Sequence, residues 1–229
     1  MLSCVSSWQQ DVNMLTTISL HNLLPKVFVG SRASEAPSDI WHREVVLQQG
    51  ESVLIEAESG RGKTSLCSFI SGLRSDYEGQ ILYTQSDGSA LAVEQSDLLR
   101  QHIGILFQEH RLFGELSAVE NVMLKSQLTC YATVEEVRRQ LERLGLAECM
   151  DRPCRTLSLG QQQRVAFVRA LCQPCSFLLL DEPISHLDAD NADIMSQMVA
   201  ERQRADSIGL IVTSVGHRFP YQYTRIFKL

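Results

Sequence analysis

Two segments of the chain hold residues whose types and spacing suit phosphate chemistry. The first is the glycine-rich run at residues 57–64, and the second is the apolar run at 177–180 with Asp181 and Glu182 at its end. A glycine-rich turn lets the backbone curl closely enough to point several N–H groups at one anion. An acid that follows a buried strand is well placed to hold Mg²⁺ beside that anion. In this order, the two segments predict a site for a nucleoside triphosphate with Mg²⁺.

The residues around the first segment predict the elements that position it. Residues 52–55 form an apolar run of strand length, and residues 64–70 read as a helix. The turn between them places the anion at the helix N-terminus, where the backbone dipole favours negative charge. Lys63 then reaches the β- and γ-phosphates, and the Thr64 hydroxyl is a ligand for Mg²⁺. The alternative is a glycine turn that only joins a strand to a helix.

A third segment, residues 157–164 with the sequence LSLGQQQR, lies before the second. It resembles the LSGGQ signature of ATP-binding cassette (ABC) ATPases, and the resemblance extends from about Thr16 to Thr213. Gln108 matches the glutamine of the family's Q-loop, and residues 185–188 resemble its D-loop. Kinases and GTPases lack the signature. Leu159 stands where the family usually has a glycine, so its side chain needs room at an interface.

The resemblance implies an α/β fold. Its phosphate-loop NTPase core is a mostly parallel sheet with flanking helices, accompanied by an antiparallel N-terminal β subdomain and an inserted helical lobe. We place the ABC ATPase domain at residues 14–229, with the helical lobe at about 109–175, and treat residues 1–13 as a tail. Ser117 followed by Glu120 predicts a capping box at a helix start. Strands are predicted near residues 16–20, 26–29, 45–47, 78–83, 103–107, 177–180 and 208–212, with helices within 117–145 and after Gly160.

The family holds ATP between two cassettes arranged head to tail, so the resemblance implies a second copy of the chain as a partner. The implied ATP contacts are Phe28, Ser59, Gly60, Arg61, Gly62, Lys63, Thr64 and Ser65. The implied contacts of the signature and D-loop with the other copy are Ser158, Leu159, Gly160, Gln161 and Asp188. The implied Mg²⁺ set is Thr64, Gln108 and Asp181. The catalytic candidates are Glu182, Gln108, His217 and Ser214.

Two of these assignments have a plain structural alternative. Glu182 is predicted to polarise the attacking water, whereas the alternative is an acid that only ends a strand. Phe28 is the candidate for stacking on adenine, whereas a core phenylalanine has the same pattern and Trp41 also lies upstream of the phosphate loop.

The clearest departure from the family follows the strand near residues 208–212. The family usually places a histidine there that senses the γ-phosphate, but this chain has Ser214, and the nearby histidine is His217. Either the loop is rearranged so that His217 reaches into the site, or the γ-phosphate is held less well; a surface histidine is the third interpretation. We therefore expect slow hydrolysis by the chain alone and a membrane partner that completes the site.

Composition favours a single compact domain without nucleic-acid affinity. The chain has 229 residues, 44% hydrophobic and 21% charged, and a formal net charge of -6. It shows neither an apolar run of membrane-spanning length nor a secretion signal, so we expect a cytoplasmic protein attached to the inner face of the membrane through a partner.

The chain has seven cysteines, which are scattered along its length. Cys172 and Cys175 form a CxxC pair that could bind zinc with Cys149 and Cys154, or simply pack at a helix end.

The segment from Gln108 to Val122 indicates how nucleotide binding is linked to work. It looks like the partner-docking stretch of the ABC ATPases for lipoprotein release, macrolide export and regulation of cell-wall hydrolysis at division.

The predicted function is the ATP-hydrolysing motor subunit of a transporter or mechanotransmission complex, docked to an integral membrane permease-type subunit. The alternative is a regulatory nucleotide-binding subunit with weak or no hydrolysis. A soluble ABC protein acting on DNA or ribosomes is disfavoured, because such proteins usually carry two cassettes or a long coiled-coil insertion.

Overall fold

The computed structural model describes residues 14–31, 36–91 and 98–229, so the predicted tail at residues 1–13 lies outside the described part. The strands are β1 (Leu15–Pro25), β2 (Glu44–Gln48), β3 (Ser52–Glu56), β4 (Tyr77–Gln85), β5 (Ile103–Leu106), β6 (Phe177–Asp181), β7 (Gly209–Ser214) and β8 (Arg225–Lys228). The helices are α1 (Lys63–Ile70), α2 (Ala118–Thr129), α3 (Val134–Arg143), α4 (Leu159–Leu171) and α5 (Ala189–Asp206).

The strands form two sheets of different kinds. Five parallel strands lie in the order β5-β6-β7-β3-β8, and three antiparallel strands lie in the order β2-β1-β4. Parallel neighbours require long crossovers, and helices supply most of them here. The predicted α/β class, with a parallel core and an antiparallel N-terminal sheet, is confirmed.

The parallel sheet separates two hydrophobic cores. Leu178 and Leu180 of β6 pack with the helices on one side, whereas Phe177 and Leu179 pack with α1 and the antiparallel sheet on the other. Successive side chains of a strand point to opposite faces, so a strand that is covered on both sides must be apolar throughout. This explains why β6 is a continuous apolar run.

Three α-helices lie between β5 and β6, and each begins with a capping box. Ser117, Thr133 and Ser158 accept the N–H of the residue three positions later, and the acid or amide at that later position accepts their own N–H. The box satisfies backbone donors that a helix start otherwise leaves unbonded. The box predicted for Ser117 and Glu120 is confirmed.

The strand predicted near residues 26–29 is wrong. Lys26–Phe28 form a 3-10 turn, in which the N–H of Val29 donates to the carbonyl of Lys26. β1 ends at Pro25, which has no N–H to continue the ladder, and Val27 is 70% exposed. Val27 and Val29 are exposed and Phe28 is half-buried against the core, so the apolar pattern does not mark a buried strand.

Burial keeps the thiols of the CxxC pair in their protonated form. Cys172 and Cys175 are both free and buried, and burial raises the pKa of each thiol to about 12. The thiolate is the form that binds metal or attacks a disulfide, so neither thiol is prepared for that chemistry at neutral pH. The pair packs in the core on the helix side of the sheet.

Candidate active site

The parallel sheet brings the predicted site residues together at the carboxyl ends of its strands. β3 ends at the phosphate loop, β5 runs into Gln108, β6 ends at Asp181 and β7 ends at Ser214. β5, β6, β7 and β3 are consecutive neighbours, so these four strand ends adjoin. Loops beyond the carboxyl ends of parallel strands are the usual ligand sites of such sheets.

The phosphate loop requires glycine at its junction with α1. Gly62 is the N-cap of α1 and has a φ of 94°, a conformation that side chains rarely adopt. A Cβ there would lie 3.0 Å from the Trp41 ring and 3.2 Å from the Phe28 ring. Both aromatic residues therefore pack against the loop, and the Trp41 indole donates to the carbonyl of Arg61 at 3.3 Å. Phe28 lies beside the phosphate loop, where its role in adenine stacking stays a prediction.

Lys63 is buried at the centre of the site. Its ammonium donates to the carbonyls of Ala57 at 3.0 Å and Glu58 at 2.8 Å, and lies 3.7 Å from Oε1 of Glu182. Burial lowers the pKa of Lys63, and the carboxylates of Glu182 and Asp181 oppose that shift. Among the described residues, the contacts of this desolvated ammonium are two carbonyls and a partly exposed carboxylate, which leave it available to a phosphate anion.

Gln108 connects the phosphate loop to the acids. Its Oε1 accepts a hydrogen bond from the Thr64 hydroxyl at 3.2 Å, and its Nε2 donates to Oε2 of Glu182 at 3.3 Å. Three residues that are far apart in the chain therefore meet side chain to side chain.

Thr213 fixes both acids, and sequence reasoning did not single it out. Its hydroxyl donates to Oδ1 of Asp181 at 2.6 Å and accepts the N–H of Glu182 at 3.1 Å. Asp181 is 2% exposed, and Glu182 has a φ of 51°, which is strained for a residue with a side chain. The hydroxyl thus stabilises the turn that aims Glu182 at Gln108.

Replacing Thr213 by valine keeps the shape of the side chain and removes its hydroxyl. Because the buried Asp181 carboxylate and the part-buried Glu182 N–H lose a hydrogen-bond partner, we expect Thr213→Val to lower the free energy of unfolding by about 1–3 kcal/mol. Urea denaturation measures this loss, and Thr213→Ser, which keeps the hydroxyl, is the control. Equal stability of the valine and wild-type chains would contradict the assigned bonds.

Ser214 and His217 occupy different environments. Ser214 is 3% exposed, and its hydroxyl donates to the backbone carbonyl of His217 at 2.5 Å. The side chain of His217 is exposed, and within the described residues no hydrogen bond joins its imidazole to Asp181 or Glu182. The structure therefore places Ser214 at the edge of the site and the imidazole of His217 at the surface. Their catalytic roles stay predictions.

The signature residues lie at the N-terminus of α4. Ser158 is the N-cap, Gln161 completes its capping box, and the side chain of Leu159 is 56% exposed. Asp188 caps α5 by accepting the N–H of Asn191 at 2.8 Å. Among the hydrogen bonds of the described residues, none joins these side chains to the phosphate loop of the same chain. The signature is thus free to face another molecule.

The site's oxygen donors fit Mg²⁺ together with phosphate. A threonine hydroxyl, an amide oxygen and carboxylates are hard ligands, and Mg²⁺ is usually bound through one or two carboxylates plus substrate phosphates and water. The described residues contain no cluster of three or more His, Cys, Asp or Glu that could hold a metal alone. Thr64, Gln108 and Asp181 therefore suit a metal that arrives with its nucleotide.

Comparison with known families decides the class. The family model for ABC transporters matches residues 42–185, which include the phosphate loop, Gln108, the signature and both acids. The chain belongs to this family. The resemblance seen in the signature and Q-loop is confirmed, and the chain is an ABC ATP-binding cassette.

Relatives of the cassette include transport ATP-binding proteins of several kinds. The lipoprotein-releasing system ATP-binding protein LolD 2 of Rhodopseudomonas palustris is 33% identical over 75% of this chain and 75% of its own length. The phosphonates import ATP-binding protein PhnC 2 of Pseudomonas syringae is 36% identical over 73% of this chain and 66% of its own length. The macrolide export ATP-binding/permease protein MacB of a Shewanella species is 34% identical over 75% of this chain, which spans 27% of that protein.

Solved structures confirm the fold of the cassette. A dimeric bacterial ABC transporter cassette superposes with a TM-score of 0.68 at 27% identity, over 86% of this chain and 87% of that chain. A dimeric post-hydrolysis state of an ATP-binding cassette, bound to ADP and Pi, gives a TM-score of 0.67 at 25% identity, over 87% and 88% of the two chains. Within the described residues, the cassette has no helix long and apolar enough to cross a bilayer.

Proposed function

We propose that this cassette binds MgATP, hydrolyses it as a dimer and transmits the change to a membrane partner. The observation that carries the proposal is Gln108, whose amide joins the Thr64 hydroxyl to the Glu182 carboxylate. The amide oxygen thus faces Thr64, a predicted Mg²⁺ ligand, and the amide nitrogen faces Glu182, the predicted base for the attacking water. Phosphate release by the purified chain tests the proposal.

Each residue has a distinct task in the proposed reaction. The N–H groups of the phosphate loop and the Lys63 ammonium bind the β- and γ-phosphates and stabilise the charge that develops during transfer. Glu182 accepts a hydrogen bond from the attacking water and takes its proton. Asp181, Thr64 and the amide oxygen of Gln108 would hold Mg²⁺, which would neutralise charge on the phosphates. Gln108 orients Glu182 and the water through its amide.

The exposed signature supports a dimer. Ser158 and the N–H groups at the start of α4 form a helix N-terminus, which favours an anion. Within the described residues they make no hydrogen bond to the phosphate loop of their own chain, which leaves them available to a γ-phosphate held by a second copy. The two solved cassettes described above are dimeric. Leu159 lies in the same surface and would pack against the partner copy.

A groove beside Gln108 supports docking of a membrane partner. Its volume is about 440 Å³, and its lining is mainly apolar, with the half-buried cations Lys125 and Arg169 and the exposed Arg111. Phe113, Leu124 and Leu128 are 61%, 42% and 65% exposed. Isolated apolar residues on a surface are ordinary, but several around one groove mark an interaction site. An integral membrane permease-type subunit would dock here, so that the cassette works in the cytoplasm at the inner face of the membrane.

A charged side chain introduced in the groove should weaken membrane binding without changing ATP hydrolysis by the isolated chain. We expect Leu128→Glu to lower the fraction of the chain that sediments with washed native membranes at least about 10-fold, because an unpaired carboxylate is costly to bury in an apolar contact. Turnover by the isolated chain should stay unchanged. Leu82→Glu, on the exposed face of β4, is the matched control. Equal membrane binding by the two variants would contradict docking at this groove.

One observation favours the alternative function, a regulatory nucleotide-binding subunit with weak or no hydrolysis. The hydroxyl of Ser214 is already bonded to the carbonyl of His217, so it replaces the family's usual histidine poorly as a donor to the γ-phosphate. Losing one preorganised donor of this kind costs on the order of 10²-fold in rate. We therefore expect the isolated wild type to be slow and to accelerate with its membrane partner.

Turnover of the wild type, Ser214→His and His217→Ala, each with and without native membranes, tests this expectation. A faster Ser214→His chain would identify the missing donor. A slower His217→Ala chain would show that the imidazole reaches the site during turnover. Brisk turnover by the isolated wild type that His217→Ala leaves unchanged would contradict both the slow-motor and the substitute-histidine hypotheses.

A further inference from the structure

Gln163 links the start of α4 to the segment that follows β6. Its side chain is 2% exposed, and both ends of its amide are bonded. Nε2 donates to the backbone carbonyl of Glu182 at 3.2 Å and approaches the Ser185 hydroxyl at 3.5 Å, while Oε1 accepts the N–H of His186 at 3.2 Å. A buried amide holds its partners firmly, because leaving them unbonded is costly.

Two further contacts join the same two segments. A Cβ on Gly160 would lie 2.6 Å from the carbonyl oxygen of His186, so the two backbones touch there. Arg164 donates to Oδ1 of Asn191 at 3.0 Å, and Asn191 is bonded in turn to Asp188 at the start of α5. The N-terminal end of α4 and the segment after β6 therefore form one rigid connection.

The two ends of this connection serve different nucleotides in the proposed dimer. Ser158 contacts the ATP bound by the partner copy, whereas Glu182 acts on the ATP bound by its own chain. Gln163 lies five positions after Ser158 along the helix, a rise of about 7.5 Å. This step rests on the proposed function, because it requires the signature of one copy to face the phosphate loop of the other.

We infer that Gln163 is a positioning residue that transmits the engagement of Ser158 to Glu182. When the signature settles on the partner's nucleotide, α4 moves as a rigid rod, and the Gln163 amide moves the Glu182 backbone with it. The carboxylate of Glu182, which Gln108 already holds at 3.3 Å, is thereby aligned with the attacking water. Each bound ATP thereby prepares the catalytic acid of the opposite site.

The test compares Gln163→Met with Gln162→Met in the full chain. Methionine keeps the length of the side chain and removes its amide. Among the contacts of the described residues, the Gln162 amide donates to the carbonyl of Leu157, just before the same helix. We expect Gln163→Met to lower kcat at least about 10-fold with KM for ATP within about twofold, and Gln162→Met to change neither. If Gln163→Met does not fold, Gln163→Glu is the second variant, because it keeps an acceptor for the His186 N–H but loses the donor to Glu182. It should show the same fall in kcat with KM for ATP nearly unchanged.

Three results would overturn this role. They are a kcat close to wild type in both Gln163 variants, a loss of ATP affinity and thermal stability with kcat per folded chain unchanged, and a joint fall of kcat and affinity. A wild type without turnover would overturn the proposed function itself, and this inference with it.

Transmission is tested separately by a double substitution. Because the two residues lie on one route, Ser158→Ala should lower kcat by a smaller factor in the Gln163→Met chain than in the wild type. Equal factors in both backgrounds would show that Gln163 does not carry the signal from the signature.

Discussion

Glu182→Gln is expected to bind ATP normally and to lose at least about 10²-fold in hydrolysis, leaving a stable ATP-bound dimer. The substituted amide keeps an oxygen that can accept the hydrogen bond from Gln108, which lies 3.3 Å from the carboxylate in the wild type. It cannot take a proton from water. Size-exclusion chromatography in MgATP, together with phosphate release, measures both effects.

The matched control for this substitution is Glu142→Gln, which changes an exposed acid on α3 in the same way. It should behave as the wild type in both assays. A Glu182→Gln chain that stays monomeric in MgATP and hydrolyses it at the wild-type rate would show that Glu182 is only a strand-end acid.

Lys63→Ala is expected to abolish ATP-dependent dimerisation and hydrolysis while the domain stays folded. The ammonium is the point charge for the β- and γ-phosphates, and a short apolar side chain cannot replace it. Folding should survive, because burial of this ammonium is unfavourable, as its lowered pKa indicates. Fluorescent ATP binding and thermal unfolding measure the two properties, with Lys228→Ala as the control for an exposed lysine. ATP affinity and turnover near wild type would overturn the assignment of the phosphate loop.

The sequence predicted the catalytic edge of the sheet because local rules determine it. A glycine turn between a strand and a helix, and acids after a buried strand, are each defined by a few adjacent residues. The boundaries of β3, α1 and β6 accordingly lie within one or two residues of those predicted.

Elements that depend on distant partners were not predicted. β8 has only four residues and alternates in exposure, and it is a strand because it pairs with β3, which lies about 170 residues earlier. α5 was also missed, although Asp188 at its N-cap and buried residues at helical spacing, such as Met195 and Val199, could have indicated it.

The supporting contacts of the site were missed for the same reason. Thr213 is bonded to Asp181 across two neighbouring strands, and Gln163 is bonded to Glu182 from a helix. A threonine in a strand and a glutamine in a helix are ordinary residues at their own positions. Their roles follow only from strand register and from the packing of α4 against the segment after β6.

Phosphate release by the wild type as a function of protein concentration, at saturating MgATP, tests the central claim most directly. If two copies form each site, the rate per chain should rise with concentration as dimers form and then level off, and native membranes should raise the plateau. The Lys63→Ala chain should give no release at any concentration. A rate per chain that is independent of concentration would contradict the shared site. Release no greater than that of Lys63→Ala, even with membranes, would contradict the motor function and favour a regulatory cassette.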